Sequence, residues 1–317
     1  MGGSTLGKTA LGEDSHEFQN YTTITHGTQT IKFGVRVRGD VLNSYTPANF
    51  NGTHTFGSFA AYELTQQDLA EGVPFSQIQS MGGGPTLFSI NAGNPATTST
   101  MVDIGAFVQD DWRVRPNLTI SVGLRLEGQS NIHDRHDLAP RASFAWAPKT
   151  SNGNPKFVVR GGFGMFYIRF PNQDELYTEE YNGINQQSYL IRSPDFFSTT
   201  ALPLSALPLS ESAARFIQAA DLRTPYLMQS ALSVERQLAR RTTLSVNWTD
   251  TRGVHQFVTS DINAPLPNGI QPLGNIGDIL EYQSDGLLKQ MQVITRDQYS
   301  SGFAVIVVRR VYLEHSA

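Results

Sequence analysis

The chain has 317 residues, with 24 lysines and arginines against 28 aspartates and glutamates, and a net charge of −4. That mild acidity, with no block of one sign, excludes a basic nucleic-acid binder, and the absence of cysteine excludes disulfides, thiolate metal sites and thiol catalysis. Charged residues are 16% and hydrophobic residues 39%, both low, which fits strands with polar faces and long loops better than a compact helical enzyme.

No apolar run approaches the ~18 residues that a membrane helix requires, the longest being Phe303 to Val308. Met1 to Ala10 carries no apolar core of an export signal. Membrane β-barrels escape the hydropathy criterion, because their strands alternate and build no apolar run.

In chain order, Gly2 to Thr9 match the phosphate-loop pattern G-x-x-x-x-G-K-[ST]. The motif needs a helix to follow, and Gly12-Glu13-Asp14 is no such helix, so the match is out of context. After a short link at Gly27-Thr28, Ile31, Phe33, Val35 and Val37 share one parity and Lys32, Arg36 and Arg38 the other. A strand so patterned has one apolar and one basic face. The same period recurs at Val102 to Val108, Leu118 to Leu126, Ala142 to Trp146, Phe157 to Tyr167, Leu232 to Val234 and Leu244 to Trp248. Short links at 115–117, 148–155 and 238–241 alternate with longer ones at 45–100, 129–137, 171–224 and 258–288. In an up-and-down sheet this sorts all tight turns to one rim and all long loops to the other, the asymmetry of outer-membrane barrels.

Aromatic residues fall near the expected rims. Trp112, Trp146 and Phe157 flank short turns, and Tyr45, Tyr167, Phe170 and Tyr226 lie at long-loop ends, as in interfacial girdles. Within the loops, Phe56 to Leu69 and Ser210 to Leu222 read as short helices.

Candidate chemistry is sparse. His133-Asp134-Arg135-His136-Asp137 offers metal-ligating types, but with no helix to hold them in register it reads as a solvated loop tip. Asp110 and Asp111, adjacent on a strand, point to opposite faces and cannot share one bond as acid and base. No G-x-S-x-G elbow is present, so no catalytic residue, cofactor site or metal site is assigned, and no single substrate-binding residue either. Tyr177, Tyr181, Tyr189, Phe196 and Phe197 gather in one loop, where they either grip a ligand or fold the loop onto itself. Arg36, Arg38, Arg125, Arg141 and Arg160 sit on the parity of a barrel interior.

Several segments together resemble a known family. Val108-Gln109-Asp110-Asp111-Trp112, Pro116-Asn117-Leu118-Thr119 and Gly123-Leu124-Arg125 look like a barrel hairpin of TonB-dependent outer-membrane receptors. Ala139-Pro140-Arg141 with Phe144 to Pro148, Arg160 to Tyr167, and Ser233 to Leu238 with Thr242 to Asn247 fit successive strands. Asn263-Ala264-Pro265-Leu266-Pro267 is similar to a loop of the Oar-like branch. The resemblance implies an all-β fold: antiparallel up-and-down strands forming part of a transmembrane outer-membrane β-barrel, with long extracellular loops containing short helices. It implies a bacterial outer-membrane location and a non-enzymatic receptor for TonB-energised uptake of a scarce small ligand such as an oligosaccharide or peptide. Its partners would be outer-membrane lipid, the TonB system and a plug domain, which the interior arginines would face. Family barrels have about 22 strands and a plugged lumen, whereas alternation here marks about nine. The expectation is therefore a partial barrel over 1–297 that does not transport alone, followed by an atypical tail over 298–317. The competing expectation is a soluble secreted β-sandwich that binds carbohydrate, which needs a second sheet against the apolar parity.

Overall fold

The computed structural model describes residues 6–148, 157–198, 214–239, 242–274, 276–299 and 302–315, and for 298–299 and 302–315 the backbone alone. One sheet of eleven strands dominates. Its main path runs β1 (Ala10–His26), β2 (Gln29–Tyr45), β5 (Ala96–Arg115), β6 (Leu118–Gln129), β7 (Asp137–Trp146), β8 (Phe157–Tyr167), β11 (Tyr226–Ala239), β12 (Thr242–Asp261) and β13 (Ile279–Tyr299). Seven of these, β2, β5 to β8, β11 and β12, hold the alternating segments named above, β1 and β13 adjoin the links at 27–28 and 258–288, and each strand is antiparallel to the next. β14 (Gly302–His315) continues the meander against β13.

The links sort as expected. Gly27-Thr28, with Gly27 at φ +59, closes the first hairpin in two residues, and Pro116-Asn117 closes β5–β6. Most of the 148–155 turn lies outside the described residues. At the opposite rim, the β2–β5 link holds β3 (Thr53–Thr55), α1 (Phe59–Ala70), α2 (Phe75–Ser80) and β4 (Leu87–Gly93). The β8–β11 link holds α3 (Asn172–Glu180), β9 (Gln186–Arg192) and β10 (Arg215–Gln218). Strands β3, β4 and β9 make a separate three-stranded sheet that ties these two loops together.

Helix α1 overlaps the expected segment and runs one residue past it. The Ser58 side chain accepts from the Ala61 N–H at 3.1 Å to cap its start, and Gly72 at φ +77 follows its end. The expected helix over Ser210 to Leu222 is corrected: residues 210–213 lie outside the described part, and Arg215–Gln218 is strand β10, parallel to Ile279–Tyr282 of β13. Open backbone on β13 and ring contacts of Phe216 with Tyr181 and Tyr282 outweigh local helix preference. Helix α3 carries little apolar periodicity; Pro171 at its start and Asp174 and Glu175 in its first turn favour helix there.

Register places the apolar parity on one continuous face. Phe33 lies opposite Val108, Val108 opposite Leu124, Ile120 opposite Phe144, and Leu232 opposite Trp248. This face is bare: Val108 is 50% exposed, Val122 54% and Ile104 51%. No second sheet covers it among the described residues, since the other sheet belongs to the loops, so the sandwich alternative lacks its required partner layer. From Val102 to Trp112 along β5 is ten steps of ~3.3 Å, which at a ~40° strand tilt spans about 25 Å, the height of an outer-membrane apolar band. Two clusters of buried apolar residues lie elsewhere, under the loops: Phe88, Ile90 and Ile191, and Ile132, Phe170 and Leu222.

The rim aromatics divide. Trp112 and Trp146 are exposed on the bare face at the short-turn end, with Trp146 edge-on to Phe157 at 6.0 Å. Tyr45 is exposed and Tyr167 packs on Tyr226 at 5.5 Å at the long-loop end. Phe170 is a correction: it is fully buried against Phe257 and Tyr282 and belongs to no girdle.

Candidate functional site

The other face of the sheet is polar and is partly covered by the loops. All five arginines expected on the interior parity share it. Arg36 reaches Asp103 at 2.6 Å, Arg38 reaches Asp40 at 3.0 Å, Arg160 reaches Glu235 at 3.3 Å, and Lys32 adds a pair with Asp111 at 2.8 Å. Arg125 lies over the Phe107 ring at 5.1 Å and Arg141 over Phe166 at 4.3 Å. Gly34 makes one such stacking site: its missing side chain leaves room for Tyr21 and Phe107 to meet edge-on at 5.6 Å across β2.

Arg169, which sequence patterning does not single out, is the key to the interior charge network. It reaches Asp103 at 2.6 Å and Glu127 at 3.2 Å. Asp103, with a side chain 5% exposed, thus sits between Arg36 and Arg169. Two charge-assisted contacts offset the cost of burying that carboxylate. The network fixes the chain leaving β8 against β5 and β6. Phe170 N–H then donates to Gln129 Oε1 at 3.0 Å, and α3 begins two residues later.

Helix α3 is anchored at both ends. Ser99 donates to Asn172 Oδ1 at 2.7 Å, and Glu180 accepts from Ser44 at 3.4 Å and from Gln186 at 3.3 Å. On the far side Tyr282 donates to Asp174 at 3.3 Å and Gln218 donates to Glu175. The helix therefore links β2 and β5 to β10 and β13 at the long-loop end. Its inward carboxyls meet neutral donors rather than cations. Burial accordingly raises Asp174, Glu175 and Glu180 above the ordinary carboxyl range, and it raises the Tyr181 phenol, with Glu180 adding to the effect.

The loop aromatics split into two groups. Tyr177 and Tyr181 stack with Phe216 beside α3. Tyr189, Phe196 and Phe197 belong instead to the loop sheet, where Phe88, Phe196 and Phe197 surround the His54 ring. Burial lowers the His54 pKa and keeps that imidazole neutral. Both groups fold the loops onto themselves.

The remaining candidates fall as follows. Asp110 and Asp111 point to opposite faces, Asp110 accepting from Gln29 at 3.1 Å and Asp111 from Lys32. In the phosphate-loop match, residues 2–5 lie outside the described part, and β1 rather than a helix begins at Ala10. The 133–137 loop is more ordered than a solvated tip: Asp134 accepts from Thr224 N–H at 3.2 Å and Asp137 is buried. It borders an open cavity of about 440 Å³ shared with Tyr167, Tyr226 and His255. Among the described residues no three His, Asp or Glu side chains converge to hold a metal ion.

A wide antiparallel meander with a bare apolar band, a polar loop-covered face and loops sorted by length defines an outer-membrane β-barrel wall. The chain matches the outer membrane β-barrel domain family over residues 1–139 and 132–307, and belongs to it. Its location is accordingly the bacterial outer membrane. No curated protein matches the chain. Among solved structures, it is similar to the outer membrane transporter YddB from Escherichia coli, with 12% identity, a TM-score of 0.58, and coverage of 92% of this chain and 31% of that one. It is likewise similar to the FrpB iron transporter from Neisseria meningitidis (F3-3 variant), with 10% identity, a TM-score of 0.53, and coverage of 97% and 36%. The chain thus spans about a third of the length of these solved structures.

Proposed function

We propose that the chain is part of a TonB-dependent outer-membrane receptor of the Oar-like branch, serving ligand-gated uptake of a scarce nutrient rather than catalysis. The observation that carries this reading is the inverted polarity of the sheet: the bare face is apolar, while the ion pairs, with Asp103 buried between Arg36 and Arg169, lie on the other. A receptor wall needs both, one face toward lipid and one toward a polar lumen. In this reading the interior arginines and the small wall residues Gly123, Ser143 and Gly162 face a plug domain. The edges at β1 and at β13–β14 carry open backbone groups, which lipid does not tolerate, so further strands close the barrel. The sheet alone would then form no transport path.

The test is genetic. Disrupting the coding sequence in its own bacterium should abolish low-concentration uptake of one nutrient from a panel of oligosaccharides and peptides. Loss of TonB should abolish uptake of the same nutrient. Uptake that survives both disruptions refutes the reading.

A further inference from the structure

The cavity at the long-loop end of β7, β8, β11 and β12 is used by nothing described so far. One wall is aromatic: Tyr167 and Tyr226 lie 5.5 Å apart at 50°, and Tyr226 meets His255 edge-on at 5.8 Å. His255 holds φ +58 at a bulge in β12, where the register shifts between Gly253 and Gln256. That bulge turns its ring toward Tyr226. The opposite wall is polar, formed by His133, Asp134 and Asp137 of the β6–β7 loop and by the 221–224 segment. Asp137 is 2% exposed and Thr224 1%, and beyond one another Asp137 Oδ2 and Thr224 Oγ1 have no hydrogen-bond partner.

The chemistry narrows the ligand class. The imidazoles and carboxyls are spread around the cavity and do not converge on a point, which is wrong for a metal ion. Three carboxyl groups, of Asp134, Asp137 and Asp221, face the single guanidinium of Arg223, which disfavours phosphates and other anions. Tyr226 is paired with Tyr167 of β8 on one side and Val254 of β12 on the other, so its own backbone offers no open edge to an extended peptide. A neutral sugar fits each constraint. Its C–H face packs on an aromatic ring, and its hydroxyls both donate to carboxylates and accept from imidazole and guanidinium. A volume near 440 Å³ lies in the range of small-ligand sites.

We propose that this cavity binds a neutral oligosaccharide, one or two rings of it seated between Tyr226 and the 133–137 loop. The inference names the ligand class of the receptor reading and rests on it. The test uses the closed receptor barrel that contains this chain, folded in detergent micelles, with fluorescein-labelled malto-, xylo-, cello- and mannohexaose as probes and labelled hexaalanine beside them, read by fluorescence anisotropy. At least one hexasaccharide should bind. Tyr226→Ala should weaken it about tenfold, the scale of one lost aromatic contact, while Tyr226→Phe stays within about threefold. Asp221→Asn, at an exposed position, should weaken it several-fold with the β-rich circular dichroism unchanged. Three results overturn the proposal: no hexasaccharide binds at millimolar concentration, hexaalanine or only intact lipopolysaccharide binds, or folded Tyr226→Ala binds as the wild type does. A chain that inserts into lipid vesicles yet binds no hexasaccharide overturns the sugar site and leaves the receptor reading standing. A chain that binds sugar but folds in buffer and ignores lipid supports the site and overturns the receptor reading.

Discussion

Valine to arginine at two positions of β5 separates a lipid-facing surface from a water-facing one. Val108 and Val102 lie on the same strand, on the same bare face, and are 50% and 43% exposed. Val108 is four residues from the rim tryptophan Trp112, so at ~3.3 Å per residue and ~40° tilt it lies about 10 Å inside that rim, near the centre of a ~25 Å band. Val102 lies at the opposite boundary. Arginine costs about 2–4 kcal/mol at the midplane of a barrel's lipid face and about 0–1 near an interface. Val108→Arg should therefore lower the folded-to-unfolded ratio about 30- to 1000-fold, and Val102→Arg less than about sixfold. The assay is equilibrium unfolding, in phospholipid vesicles, of the closed receptor barrel that contains this chain, followed by tryptophan fluorescence. If water bathed this face, both variants would be near neutral, as surface substitutions usually are. Equal midpoints for the two variants would falsify the membrane assignment.

Other outcomes follow from single contacts. Gly34→Ala would place a β-carbon 2.4 Å from Asn20 O and 2.8 Å from the Phe107 ring, so it should cost about 1–3 kcal/mol in the same assay. Gly105→Ala meets nothing within 4 Å and should be nearly silent. Arg169→Met removes the tie between Asp103 and Glu127 but leaves Arg36 on Asp103; about 1–3 kcal/mol of local stability should go, read as faster hydrogen exchange over 170–180 with the centre of β5 unchanged. The α3 carboxyls predict a pH dependence. Their folded pKa values are raised, so their contribution is full below the ordinary carboxyl range and is lost as pH rises through the raised values. A fluorophore on Glu179→Cys, the only thiol in the chain, should report a tighter α3 at pH 4.5 than at pH 8, and Glu180→Gln should flatten part of that change; a probe equally mobile at both pH values contradicts it.

How much of this was legible depends on which face a residue serves. The lipid-facing alternation is a one-dimensional signal, because a period of two needs no knowledge of neighbours. All seven alternating segments appear as strands, and Arg36, Arg125 and Arg160 fall on the interior side by parity alone. The loop cap is different in kind. Arg169 is unremarkable in sequence and acquires its role from Asp103 and Glu127, 66 and 42 residues earlier. Phe170 reads as a girdle aromatic by position and is buried because Phe257 and Tyr282 close over it. Phe216 lies in a helix-like stretch and pairs as strand because β13 offers an edge. His133 and Asp134 face Tyr226 only through the pairing of β8 with β11 across a long loop. The one available cue was compositional: tyrosines and histidines at long-loop ends.

The polarity of the sheet settles which solvent each face meets. About twenty large apolar side chains on the bare face are roughly 36–65% exposed, among them Phe18, Ile104 and Leu126. Burying one such side chain fully is worth about 2 kcal/mol, so leaving half of it in water forfeits about 1 kcal/mol each. Meanwhile Asp40 and Asp103, which water would solvate freely, are buried at 2% and 3% exposure and need arginine partners. A water-soluble fold would reverse both choices. Lipid against the apolar face removes the first cost, and on a polar interior face the second arrangement holds the wall's shape through its own ion pairs.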